Sequence, residues 1–185
     1  MFVKMMKIAF QGEPGAFSED AIAKYFGLNG AVPVPQASLA DVLSTVSDGR
    51  ADYGVLPVEN TIAGVVVDSE HALSHSPVRK VGEVTLAVEQ CLLAIRGAEW
   101  KDLAIVLSHP VALAQCGKFF SAHKEMKATP SSDTAAAARE VASRGDRSVA
   151  AIAGRRAAEL YKLDILAVGI QDRPDNETRF VILAR

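Results

Sequence analysis

The chain has 185 residues, of which 49% are hydrophobic and 23% are charged, and its formal net charge is −2. This length fits one large domain or two small lobes, and the apolar content excludes a disordered chain. Because the charge is close to zero and no run of basic residues occurs, we expect no nucleic-acid partner.

The first segments of the chain alternate short apolar runs with helical patterns. We predict a strand over 7–10, a glycine-rich turn over 11–15, a helix over 17–26, a strand over 31–35 and a helix that begins at Ser38 and ends at Gly49. The turn leaves free backbone N–H groups at the start of the first helix, which suits a carboxylate or a phosphate. Gly12 and Gly15 lack the later glycine and the lysine of nucleotide-binding loops, so this turn favours a carboxylate.

An apolar strand over 53–58 leads into Glu59-Asn60-Thr61. A carboxylate, an amide and a hydroxyl in succession at a strand end can recognise a polar ligand. The same three residues can instead cap a helix that we predict over about 65–74. The residues alone leave both interpretations open.

The middle of the chain, from 78 to 95, is strand-like and long. Its run over 81–88 alternates poorly, as a doubly covered strand does, and we place the first crossing between two lobes here. After a strand over 104–107, Ser108 or His109 caps a helix that has Pro110 in its first turn and reaches about Ala122. His109 is either a general acid or base, or a capping and positioned histidine.

Ser131-Ser132-Asp133-Thr134 precedes a strongly helical alanine run. These four residues exceed what capping needs, so a ligand contact at this helix start is an open alternative to capping alone. We predict a strand over 149–153, a helix over 155–161 and a strand over 165–168, and a return crossing to the first lobe over 170–172.

Asp175-Asn176-Glu177-Thr178-Arg179-Phe180 lies directly before an apolar run over 181–184 that reads as a short buried strand. Strand mouths in α/β sheets bind ligands, although a solvated loop is the alternative. The repeated β-α order predicts an α/β fold of two lobes. We place residues 1–84 and 170–185 in the first lobe and 85–169 in the second, with the polar strand ends facing each other across a cleft.

Cysteines, histidines and apolar runs give further expectations. Cys91 and Cys116 have apolar neighbours and no metal-ligand spacing, so we expect reduced core thiols. We assign no ligand spacing to His71, His75 and His123, and therefore no metal site. The chain begins with no signal-length apolar segment and no run is long enough to span a bilayer, so we expect a cytoplasmic protein with no membrane partner.

Five segments together resemble the prephenate dehydratase family. They are Gly12-Glu13-Pro14-Gly15-Ala16-Phe17-Ser18, Gly54-Val55-Leu56-Pro57-Val58-Glu59-Asn60-Thr61, Ser108-His109-Pro110, Asp133-Thr134-Ala135 and Asn176-Glu177-Thr178-Arg179-Phe180. The resemblance implies a two-lobed fold similar to type II periplasmic binding proteins, an active site in the inter-lobe cleft, and homodimers or larger assemblies. It implies conversion of prephenate to phenylpyruvate, water and carbon dioxide in phenylalanine biosynthesis. That chemistry needs no cofactor and no metal.

The resemblance also implies roles for particular residues. Thr178 is expected to be the catalytic residue. The residues expected to bind substrate are Asn60, Thr61, Ser108, His109, Ser132, Thr134, Asn176, Arg179 and Phe180. Thr61 stands where the family usually has serine, and Gln90 where we expect histidine, so we place no acid–base role at residue 90. Family members usually continue into a regulatory ACT domain, and we expect this chain to be of the catalytic-domain-only type.

Two alternatives remain open from the sequence. The first is an arogenate dehydratase, which performs the same elimination on the transaminated substrate. The second is a non-catalytic small-molecule binding protein of the same fold, against which the intact Thr178-Arg179-Phe180 run argues.

Overall fold

The structure is a computed structural model and describes residues 5–27 and 29–185. The strands are β1 Met6–Gln11, β2 Ala31–Gln36, β3 Tyr53–Asn60, β4 Gly64–Val65, β5 Arg79–Ala87, β6 Cys91–Ala94, β7 Ile105–Ser108, β8 Lys127–Pro130, β9 Val149–Ala153, β10 Asp164–Ala167 and β11 Glu177–Ala184. The helices are α1 Phe17–Phe26, α2 Leu39–Ser47, α3 Val67–Ser74, α4 Pro110–Ala114, α5 Gly117–Ala122, α6 Thr134–Arg144 and α7 Arg155–Tyr161, with a 3-10 turn at Trp100–Asp102.

The described residues form two compact units. The first contains the chain up to Gly12, Phe17–Ala87 and Glu177–Arg185, and the second contains Glu13–Ala16 and Val88–Asn176. Apart from the short segment Glu13–Ala16, the chain leaves the first unit after Ala87 and returns to it at Glu177. A mixed α/β fold with two sheets agrees with the fold class expected from the sequence.

The sheet of the first unit has the order β2-β1-β3-β11-β5, and β4 pairs with β3. β1 is parallel to β2 and β3, whereas β11 is antiparallel to both of its neighbours. Helix α2 begins where Ser38 accepts a hydrogen bond from the Asp41 N–H at 3.1 Å, as predicted. Its apolar face packs on the sheet through Val42 and Val46, which lie in one core with Leu56 and Leu183.

The sheet of the second unit has the order β10-β6-β9-β7-β8. Its central strand, β9, is buried along its whole length. Val149 and Ala151 share a core with residues of α6 and α7, while Ala150 and Ile152 share another with Phe119 of α5. β9 is therefore covered on both faces, and its continuous apolar sequence follows from that burial.

Three predicted elements differ from the structure. The long strand over 78–95 is two strands, β5 and β6, in different units, and β5 is an exposed edge strand rather than a doubly covered one. The predicted helix over 110–122 is two helices, because Gln115 ends α4 and the N–H groups of Gly117 and Lys118 donate to the distant Asp172 carboxylate at 3.1 and 2.8 Å. The residues 177–180, predicted to precede the last strand, belong to β11.

Both cysteines are buried free thiols, as predicted. Within the described ranges, none of the helices combines the length and the apolar character that a bilayer crossing requires. In the same ranges, no three His, Cys, Asp or Glu side chains lie together as a metal-binding group.

Candidate functional site

The Thr178 hydroxyl and the Asn60 amide form a hydrogen bond where β11 begins and β3 ends. Antiparallel pairing places Thr178 directly opposite Asn60, and Asn60 Nδ2 donates to Thr178 Oγ1 at 2.9 Å. The hydroxyl thus accepts a hydrogen bond, and no acceptor for its own proton is found in the part of the chain that the structure describes. A hydroxyl fixed in this way has its proton available for a ligand.

Asn60 also shapes the turn that follows it. Its Nδ2 donates to the Glu177 carbonyl at 3.0 Å, and its Oδ1 accepts from the N–H groups of Ile62 and Ala63 at 3.0 and 2.8 Å. These bonds fix which end of the amide faces Thr178. The alternative that these residues cap α3 is wrong, because α3 begins after Val66 with no side-chain cap.

Thr61 ties the same turn to β11. The Thr61 N–H donates to the Glu177 carbonyl at 2.9 Å, and the Glu177 N–H donates to Thr61 Oγ1 at 3.0 Å. The hydroxyl at position 61 therefore has a structural task in holding the start of β11. Its predicted contact with substrate stays a prediction.

Arg179 lies on the opposite face of the sheet from Thr178. Successive side chains of a strand alternate between faces. Arg179 donates to Glu59 Oε2 from Nε at 3.2 Å and from Nη2 at 2.8 Å, and its Nη1 lies 3.6 Å from Glu83 Oε2. The Glu59 hydrogen bonds raise the pKa of Arg179, and Lys80, followed by Arg179, lowers the pKa of Glu83.

Phe180 is back on the Thr178 face, where it is buried at 2% exposure. It pairs with Pro57 of β3, one residue out of step with the pairing of Arg179, because β3 carries an extra residue at this point. The local irregularity sits next to Thr178 and Arg179. Phe180 thus packs in the core of the first unit, and its predicted substrate contact stays a prediction.

Ser108 and His109 end β7 and begin α4 in the second unit. Ser108 is fully buried, and its hydroxyl donates to the Ile152 carbonyl at 2.7 Å. His109 Nδ1 accepts from the Val111 N–H at 3.2 Å, so this histidine caps α4. Since Nδ1 is the acceptor, the neutral ring carries its proton on Nε2. His109 therefore caps α4 in the structure, and its acid–base role stays a prediction.

Ser132 and Thr134 flank the residue that caps α6. Asp133 alone performs the capping, because its Oδ1 accepts from the Ala136 N–H at 2.7 Å. Ser132 is exposed and Thr134 is half-buried in the first turn. Neither hydroxyl has a hydrogen-bond partner among the described residues. Neither of these two hydroxyls takes part in capping α6, and their contact with a ligand stays a prediction.

Asn176 and Gln115 form a buried hydrogen-bonded pair, of which only Asn176 was predicted as a site residue. Asn176 Nδ2 donates to Gln115 Oε1 at 3.1 Å, and the Asn176 carbonyl accepts from the Val88 N–H at 2.7 Å. Asn176 was predicted as a binding residue, whereas Gln115 was missed inside a predicted helix. A glycine two residues later, Gly117, was the signal that this helix breaks.

The loop over 13–16 belongs to the second unit, not the first. Arg139 donates to both Glu13 carboxylate oxygens at 2.8 and 3.0 Å, and the Tyr161 hydroxyl donates to the Pro14 carbonyl at 2.7 Å. Gly15, with φ +93°, lies against Ala157. Gly15 therefore allows a close backbone approach, and the anion-binding role expected for this turn stays a prediction.

Two α/β units of this kind define a class of fold. A periplasmic substrate-binding protein of an ABC transporter from Coxiella burnetii has a TM-score of 0.50 at 12% identity, over 98% of this chain and 84% of that one, and shows that fold alone. The family model for prephenate dehydratase matches residues 8–185. The chain belongs to the prephenate dehydratase family, as its sequence resemblance indicated.

Solved structures and plant proteins support the family. A prephenate dehydratase from Arthrobacter aurescens in complex with L-Phe has a TM-score of 0.89 at 30% identity, over 97% of this chain and 60% of that one. A structure described as GqqA, a novel type of quorum quenching acylase, has a TM-score of 0.87 at 37% identity, over 97% and 64%. Arogenate dehydratase 1 of Petunia hybrida is 44% identical over 181 residues, which are 97% of this chain and 42% of that protein.

A second plant relative bears on location. The chloroplastic arogenate dehydratase/prephenate dehydratase 6 of Arabidopsis thaliana is 43% identical over 97% of this chain and 43% of that protein. The prediction of a cytoplasmic location is wrong by this comparison, because such relatives are labelled chloroplastic. The expectation rested on apolar segments of the given sequence, which do not bear on a plastid location. The chain spans less than half the length of these curated relatives.

Proposed function

We propose that the chain catalyses the decarboxylating dehydration of prephenate to phenylpyruvate, with Thr178 as the hydrogen-bond donor to the departing hydroxyl. The observation that carries the proposal is the Asn60–Thr178 hydrogen bond, which leaves the Thr178 proton available. Membership of the prephenate dehydratase family over residues 8–185 supports the substrate class.

The reaction breaks two bonds of the substrate ring. The C–C bond to the ring carboxylate gives its electron pair to the ring, which becomes aromatic, and carbon dioxide leaves. The C–O bond across the ring gives its pair to the hydroxyl group, which takes up one proton and leaves as water. Hydroxide is a poor leaving group, so a donor to its oxygen lowers the barrier.

Thr178 is suited to hydrogen bonding rather than to acid catalysis. A threonine hydroxyl is a weak acid, so it stabilises the charge that develops on the leaving oxygen while another proton source completes the water. The Asn60 amide occupies a lone pair of Oγ1 and so orients the hydroxyl before substrate arrives. Such preorganisation avoids reorientation during the reaction.

The substrate carboxylates need partners of their own, and several candidates remain proposals. The hydroxyls of Ser132 and Thr134 lie at the start of α6, where the helix dipole favours an anion. Arg179 is a weaker candidate than the sequence suggested, because Glu59 and Glu83 hold its guanidinium on the other face from Thr178.

Arogenate is the alternative substrate, and two curated relatives at 43–44% identity carry arogenate dehydratase in their names. The elimination is the same, and the substrates differ in a ketone or an ammonium group on the side chain. We keep prephenate as the first proposal. A homodimer or larger assembly is a further proposal, which light scattering of the purified chain tests.

The test is a turnover assay with each substrate in parallel. Purified chain is mixed with prephenate or arogenate, and phenylpyruvate or phenylalanine is measured against the rate in buffer. We expect prephenate to be the better substrate by kcat/KM. A higher kcat/KM for arogenate would select the alternative, and a folded chain that accelerates neither reaction would contradict both.

A further inference from the structure

The C-terminal end of α3 carries two exposed histidines four residues apart. The ring centroids of His71 and His75 lie 4.7 Å from each other, with 38° between the ring planes. Residues at i and i+4 share one face of a helix, and two such imidazoles are a recurring zinc-ligand pair. We predicted no ligand spacing for these two residues from the sequence, whereas their rings lie together in the structure.

The hydrogen bonds of His75 determine which of its nitrogens is free. His75 Nδ1 lies 2.9 Å from the His71 carbonyl oxygen and 2.9 Å from Ser74 Oγ. The Ser74 hydroxyl donates to the same carbonyl at 2.8 Å. A carbonyl can only accept, so Nδ1 carries the proton and Nε2 of the neutral ring keeps its lone pair.

This is the arrangement that metal-binding histidines use. A ligating imidazole almost always donates its other N–H to a carbonyl or carboxylate, which fixes the ring and its tautomer. Neither ring nitrogen of His71 has a hydrogen-bond partner in the described ranges, so its lone pair is also available. The first turn of α3 adds Asp68 and Glu70, and the helix C-terminus carries partial negative charge, which favours a cation there.

We infer that His71 and His75 form a surface binding site for a divalent transition metal that prefers imidazole, such as Zn²⁺. Tetrahedral zinc with Zn–N bonds of about 2.0–2.1 Å requires two nitrogens about 3.3 Å apart, and the two ring centroids lie 4.7 Å apart. Water fills the remaining positions, because no third protein ligand joins the pair among the described residues.

The proposed metal stabilises the end of α3 and has no catalytic role. Residue 72 is alanine where the helical zinc-protease motif has its glutamate base. Joining residues 71 and 75 through a metal closes the last turn of an eight-residue helix. A helix this short is marginal without tertiary support, so the bound metal stabilises its end by mass action.

The test is Zn²⁺ titration by calorimetry at neutral pH on wild type, His71→Gln, His75→Gln and the control His123→Gln. We expect saturable binding in wild type and in the control, weakened about 10-fold or more in each of the two test variants. Zn²⁺ should raise the melting temperature of wild type and of the control more than that of the test variants. Circular dichroism without metal confirms that all four chains fold.

Two results would overturn the inference. One is Zn²⁺ affinity that is the same in wild type and in both test variants, which would put the metal elsewhere. The other is the absence of saturable binding up to millimolar Zn²⁺. Neither result bears on the proposed dehydratase activity, which is measured separately without added metal.

Discussion

Asn60 Nδ2 lies 2.9 Å from Thr178 Oγ1, so an amide at the end of β3 orients a hydroxyl 118 residues later in the chain. Antiparallel pairing of β3 with β11 makes the two residues direct neighbours. The direction of this hydrogen bond matters more than its presence. While the amide donates, the hydroxyl keeps its own proton for another acceptor.

Reversing that hydrogen bond should reduce turnover without unfolding the chain. In Asn60→Asp, one carboxylate oxygen still accepts from the Ile62 and Ala63 N–H groups, but the other faces Thr178 as an acceptor. The Thr178 hydroxyl then donates to that carboxylate and its proton is no longer available to substrate. We expect kcat to fall by about 10²-fold or more. The assay is prephenate turnover at saturating substrate.

The control for this variant is Asn60→Ala, which removes the amide but adds no competing acceptor. It should lose thermal stability, because the turn loses both bonds to Oδ1 and the bond from Nδ2 to the Glu177 carbonyl. If Asn60→Asp turns over like wild type, the direction of the hydrogen bond does not matter for the reaction.

Arg179→Gln tests whether this arginine serves the sheet or the substrate. Its guanidinium bridges Glu59 of β3 and Glu83 of β5. If that is its task, the variant should melt at a lower temperature, while KM for prephenate changes by less than about threefold, under 1 kcal/mol. High salt should reduce the difference in melting temperature, because exposed ion pairs are screened. A large rise in KM with an unchanged melting temperature would indicate that Arg179 binds substrate.

Gly15→Ala and Gly145→Ala form a matched pair for the loop over 13–16. Both glycines have positive φ, +93° and +61°, so alanine at either position costs about 1–2 kcal/mol of backbone strain. At Gly15 the new Cβ also lies 3.1 Å from the Ala157 Cα, whereas nothing in the described residues lies within 4 Å at Gly145. We expect Gly15→Ala to be destabilised by about 1–3 kcal/mol more, in line with overpacking.

Denaturant unfolding of both variants measures this difference. Equal free energies of unfolding for the two glycine variants would mean that the loop shifts away from α7 at no cost.

Cys116 should resist thiol reagents in the folded chain. Burial, with a smaller contribution from the Asp172 carboxylate, raises its pKa to about 12, so the thiol stays protonated at any pH where such reagents are used. The thiolate is the reactive species, and the pKa of Cys91 is also raised by burial. We expect neither thiol to react with an aromatic disulfide reagent until denaturant is added. Rapid labelling of one thiol per native chain would contradict the assignment.

Local signals in the sequence were enough for the first elements of the chain. Helix α1 spans the predicted residues 17–26, because its amphipathic pattern lies between Gly15 and Gly27 and the two glycines mark its ends. Ser38 and Asp41 at the start of α2 and the alanine run of α6 are of the same kind. Each of these elements is specified by residues within a few positions of its ends.

The elements that were missed depend on distant residues. The break between α4 and α5 is stabilised by Asp172, which lies 55 residues beyond Gly117, and Gly117 itself is only a weak local signal for it. Residues 177–180 were predicted to precede the last strand, so the polar run suggested that Thr178 and Arg179 act together, whereas within β11 their side chains alternate between faces. The length of β11 depends on its pairing with β3 and β5, and such pairing is not local.

Thr178→Val tests the proposed mechanism most directly. Valine nearly preserves the shape of threonine and removes the hydroxyl, so the fold should survive with the Asn60 amide losing one acceptor. Substrate affinity should change little, since the hydrogen bond strengthens only as the C–O bond breaks. We expect kcat to fall by about 10²–10⁴-fold, or roughly 3–5 kcal/mol of barrier.

Thr178→Ser is the matched control, because it keeps both the donor and the acceptor for Asn60. It should retain much of the turnover, while losing one methyl group from a half-buried position. If Thr178 only packs at the start of β11, both variants should instead melt at lower temperature and turn over almost normally once folded. If kcat of Thr178→Val lies within about threefold of wild type, the barrier has changed by under 1 kcal/mol. Such a result would show that the Thr178 hydroxyl is not needed as a donor to the departing oxygen.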